Sequence, residues 1–184
     1  MFRYAFTGIS PLILSMTSMS AFCAPIGGGH LPNVRLVQAA GLDRISMLAV
    51  PRIYFRSFDQ SDQQFRKFTG CVLSGDSSGF KNIFSEAVQT SMSKEEVQSA
   101  LAFYESDIGK RIVAITLADA RRELGIADHV LVPALSANEK SKVDSFNETS
   151  AGQKFASEKL MRTGKTAVLF FEVCEKILSM CKPS

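Results

Sequence analysis

The chain has 184 residues, a formal net charge of +3, and 46 % hydrophobic against 21 % charged residues. That length admits one domain with enough core to stand alone, and the composition excludes a disordered or fibrous chain. A charge balance this close to neutral gives no argument for a nucleic-acid partner.

The first stretch reads as targeting. Arg3 is the only charge before Arg35, and an apolar run lies around Pro11 to Leu14. Small residues follow, ending in Ala21, Cys23 and Ala24. Residues 1–23 therefore read as a secretory signal peptide, too short and too rich in hydroxyls to span a membrane. Cleavage before Ala24 is the expectation; a lipid-modified Cys23 is the alternative, against which Phe22 stands where a small residue is required. Residues 24–32, with Gly27, Gly28 and Gly29 inside, form a flexible leader to a helical domain over 33–184.

Pro32 and Asn33 open a first helix carrying Val34, Leu36, Val37 and Ala40, closed by Gly41. A second starts near Asp43 and carries Ile45, Leu48, Ile53 and Phe55; Pro51 inside it should bend or split it. Phe65, Phe68 and Val72 recur at helical spacing, and Ser74 to Gly79 is the clearest loop. Phe80, Ile83, Phe84, Ala87 and Val88 make another buried face.

Ser93 and Glu96 then form a capping box, the serine accepting from the glutamate's N–H and the glutamate reaching back. The helix they start ends at Phe103 and Tyr104, and Ser106 caps a further helix with Gly109 in its first turn. Lys110 and Arg111 follow, read as a solvated face with an anion or partner contact as the alternative. Ile112, Ile115 and Ala118 continue that helix to Gly125, and Val130 to Val132 is read as helix or turn. The whole pattern then recurs. Residues 136–157 repeat 93–114 in register, with Ser136, Glu139, Phe146, Thr149, Gly152 and Lys154 falling on Ser93, Glu96, Phe103, Ser106, Gly109 and Arg111. Each glycine is expected to let another backbone come close, because a glycine inside a helix otherwise costs about 1 kcal/mol. A last helix runs from about Ser150 to Met180 with a break at Gly164, and Phe170 and Phe171 are both read as core.

The segments Ala102 to Arg111 and Ser145 to Phe155 resemble the bacterial envelope proteins grouped as domain of unknown function 2059. In that family a helix ending in phenylalanine and tyrosine leads into Ser-Pro-x-Gly-Gln-Lys, with a weaker copy nearer the C-terminus. This chain departs by Asp107 and Lys110, and the resemblance extends over about Val34 to Lys159. It implies an all-helical exported domain and brings no catalytic residues.

The expected fold is therefore all-α, a single-domain helical bundle with an internally repeated helix–turn–helix unit. Export makes a disulfide the default. Cys174 and Cys181 lie two turns apart on one helix, about 10.5 Å, beyond the reach of a bridge. Cys71 must take one of them, and Cys174 is the expected partner because Cys181 sits at a chain end where helices fray.

No nucleophile motif, phosphate loop or metal-ligand spacing appears, and His30 and His129 stand alone. No catalytic residue, metal or cofactor is expected. Two readings remain for an exported, membrane-free, periplasmic or secreted chain. One is an interaction or adaptor module docking an envelope protein; the other carries an apolar ligand, such as a lipid, in a cavity lined by some of the 14 phenylalanines.

Overall fold

In a computed structural model the described residues are 31–54, 62–126, 132–156, 160 and 164–181. The expected signal peptide, the leader up to His30, Phe55, His129 and Val130 lie outside them. Nine helices and no strand occur among the described residues.

The chain enters α1 (Pro32–Ala39) with proline at its start, where the missing N–H has no intrahelical partner to lose. Gly41 adopts φ of 66°, the left-handed conformation that lets the chain reverse into α2 (Leu42–Tyr54). Pro51 falls in the last turn of α2, and the helix runs through it to Tyr54 without splitting. Asp62 caps α3 (Gln63–Ser74), its carboxylate accepting from the Gln64 N–H at 2.7 Å. Then come α4 (Ser78–Ser91), α5 (Lys94–Glu105) and α6 (Asp107–Glu123). Gly125, at φ of 69°, turns the chain out of α6. The remainder holds α7 (Ala137–Asn147), α8 (Ser150–Ala156) and α9 (Gly164–Cys181).

α4 is the hub. It packs against α1, α2 and α9, while α1 also packs on α5, and α2 on α3 and α6. Phe80 and Phe84 on α4 are fully buried, with the Phe170 ring of α9 at 5.0 and 6.4 Å from theirs. Burying side chains of this size stabilises by roughly 1.5–3 kcal/mol each. Phe170 is thus core, but Phe171 is 53 % exposed, which corrects the expectation for the pair. Successive residues on a helix point about 100° apart, so α9 cannot turn both rings inward.

The disulfide joins Cys71 on α3 to Cys181 at the end of α9, with Cα atoms 5.7 Å apart. The expected Cys71–Cys174 bridge is therefore wrong. Cys174 is a free, fully buried thiol among Phe170 and Ile177 in the main core. The end of α9 is not frayed: Ile177 and Cys181 are both buried, which puts the last turn against α3. Among the described residues no helix is long and apolar enough to cross a membrane.

Candidate functional site

The motif residues form two matching corners. At the first, the Ser93 hydroxyl accepts from the Glu96 N–H at 3.2 Å while Glu96 accepts from the Ser93 N–H at 2.7 Å. At the second, Ser136 and Glu139 do the same at 3.3 and 2.8 Å. Beyond each helix a hydroxyl repeats one task. Ser106 accepts from the Gly109 N–H at 3.1 Å and donates to the Phe103 carbonyl at 2.6 Å. Thr149 accepts from Gly152 at 3.0 Å and donates to the Phe146 carbonyl at 2.6 Å. A Cβ on Gly109 would lie 2.1 Å from the Phe103 oxygen, and one on Gly152 would lie 2.0 Å from the Phe146 oxygen. The backbone each glycine admits is the end of the helix just before it.

The two corners hold each other reciprocally. Lys154, beyond the second corner, donates to Glu96 of the first at 2.6 Å and to the Ser91 carbonyl at 2.6 Å. Arg111, beyond the first, donates to Glu139 of the second at 2.7 Å and to the carbonyls of Pro133 and Ala134 at 3.4 and 3.3 Å. Ser150 also donates to Glu96. Between them the Phe103 and Phe146 rings stack at 3.8 Å, with 3° between their planes. Residue i of one corner meets residue j of the other, and j meets i, as across a two-fold axis.

These contacts set the local protonation. Glu96 is held down to about 2, first by the Lys154 hydrogen bond and then by Ser150 and the Ser93 N–H. Glu139 is lowered by the Ser136 N–H and hydroxyl, with Arg111 adding to the effect. Tyr104, packed on Phe146 and Phe155, is pushed up to about 12 by burial. Arg111 is thus an internal clasp rather than the solvated face expected of it, and Lys154 is its counterpart. The positional match of cation with cation and carboxylate with carboxylate was in the sequence, but nothing local says that they cross.

Opposite chemistry is found where α2, α3 and α6 meet. A half-open cleft of about 420 Å³ lies there, with Met47, Leu48, Leu73 and Leu117 on its walls and Arg44 and Arg121 also lining it. Met47 and Leu48 are buried and both arginines are exposed, so the cations stand at the mouth. Arg52 of α2 pairs with Glu123 of α6, tying the two walls together. Among the described residues no phenylalanine lines the cleft; Phe65, Phe68, Phe80, Phe84, Phe146 and Phe170 are buried instead. Behind the wall, the cleft-lining Ser77 donates to Asp43 Oδ2 at 3.2 Å, while the buried Asp43 Oδ1 has no hydrogen-bond partner among the described residues. Sequence reasoning missed this site, since neither arginine belongs to a motif.

Comparison with curated proteins and with solved structures gives no match. Residues 80–136, from α4 through the first corner to the Ser136 cap, match the model of a family described as an uncharacterized protein conserved in bacteria, DUF2059, the family that the first phenylalanine-to-glycine motif resembles.

Proposed function

We propose that the chain is a non-catalytic adaptor exported to the bacterial envelope, and that it docks a protein partner by taking one of the partner's apolar side chains into the α2–α3–α6 cleft. The cleft itself is the observation that carries the reading. Its volume of about 420 Å³ lies within the ordinary range of binding sites, and its walls are apolar with a few polar groups to orient a ligand. An open trough suits a peptide side chain whose backbone stays outside. A lipid carrier encloses most of its ligand's surface, whereas Phe65, Phe68, Phe80, Phe84, Phe146 and Phe170 are buried in the packed core. Export fits the Cys71–Cys181 bridge, since such bonds persist in oxidising compartments.

The test is photo-crosslinking in the bacterial envelope from a benzophenone amino acid at Leu117, half-buried on the cleft wall, with exposed Lys142 of α7 as the control. The expected result is one protein adduct from Leu117 and none from Lys142, reproduced when the two purified proteins are mixed. Equal adducts from both positions would overturn the reading. So would native mass spectrometry showing a lipid of fixed mass retained by the purified chain, which favours the carrier.

A further inference from the structure

We infer that the docked segment carries a carboxylate next to its apolar side chain, and that Arg44 reads it; this rests on the cleft being a docking site. The cleft is apolar within and cationic at its mouth, where Arg44 of α2 and Arg121 of α6 both line it. A guanidinium is the side chain best suited to a carboxylate, offering two parallel N–H donors. Most of the exposed arginines nearby are already engaged. Arg52 pairs with Glu123 and Arg122 with Asp119, as Arg35 does with Glu105 on another face. Arg44 has no carboxylate partner among the described residues. The buried carboxylate of its neighbour Asp43 does not line the cleft, and Ser77 donates to one of its oxygens.

The placement of Arg44 is built into the α1–α2 turn. Gly41 sits at φ of 66°, and a Cβ there would lie 3.3 Å from Arg44 Nη2 and 2.8 Å from a methyl of Val113. The bare glycine lets the Arg44 guanidinium lie back over the turn, beside the cleft. An apolar side chain seated between Met47 and Leu117 would thus bring a flanking Asp, Glu or chain-terminal carboxylate within reach of a cation that has no carboxylate partner among the described residues. A lipid places its charge at the end of a long apolar body, for which an open trough of this volume gives little enclosure.

The experiment pans a displayed library of random short peptides against the whole purified protein and against Arg44→Gln. The expected consensus is a bulky apolar residue beside an acidic residue or the free C-terminus, the two sources told apart by re-synthesis with an amidated end. Arg44→Gln should weaken the selected peptide about tenfold, the weight of one charged hydrogen bond. Arg44→Lys should recover part of that loss, and high salt should weaken the wild-type complex alone. An apolar consensus without acidic enrichment, unaffected by Arg44→Gln, overturns the carboxylate inference and leaves docking standing. No enrichment of any peptide overturns both.

Discussion

Gly109 and Gly152 separate local necessity from general preference. Each sits where a side chain would strike the carbonyl of the preceding helix's last turn, 2.1 and 2.0 Å away. That carbonyl is fixed by the hydroxyl of Ser106 or Thr149 and cannot retreat cheaply. Gly109→Ala is therefore expected to cost about 2 kcal/mol or more through overpacking. Gly70, inside α3 with nothing within 4 Å of its would-be Cβ, is the control. There, alanine should stabilise by about 0.5–1 kcal/mol, and denaturant unfolding of the two variants should move in opposite directions. Glu96 makes a second prediction. Its ordinary value of 4.5 is lowered to about 2 in the folded chain, so its stabilisation is complete above 4.5 and fades as pH falls toward 2. The stability gap between wild type and Glu96→Gln should close over that window, and a gap constant with pH would contradict the clasp.

Among the elements, legibility followed the range of the interaction. The capping boxes at Ser93 and Ser136 were readable because donor and acceptor lie within one turn, and the glycine turns because their cost is local. Reciprocity between Arg111, Glu139, Lys154 and Glu96 was not, because it depends on how α5 and α6 meet α7 and α8. Phe171 was misplaced by treating an apolar run as one face, and Cys181 by treating a chain end as frayed when α3 packs against it. The thiols provide the test at this scale. Closing so long a loop contributes up to about 4–5 kcal/mol in the chain-entropy model, so Cys181→Ser should lower the unfolding midpoint strongly. Cys174→Ser should leave the bridge intact, and non-reducing peptide maps should show Cys71 joined to Cys181. A Cys71–Cys174 peptide from the wild-type chain would contradict the packing of α9.

For the molecule as a whole, the clasp and the cleft lie on different parts of one scaffold. The stacked phenylalanines and crossed ion pairs join α5 through α8, while α2, α3 and α6 leave a trough that no described residue fills. Unfilled apolar space costs stability, and its retention is understandable where a partner fills it. Docking at the cleft is tested most directly by filling the trough from within the chain. Ala114 lines the cleft, is half-buried and makes none of the clasp's hydrogen bonds, so Ala114→Leu adds apolar bulk to the cleft itself. The measurement reads the thermal midpoint and the Leu117 photo-crosslink of this variant side by side. An unchanged or raised midpoint with the crosslink lost is the result expected, and a well-folded variant that crosslinks its partner at full yield would contradict docking at the cleft.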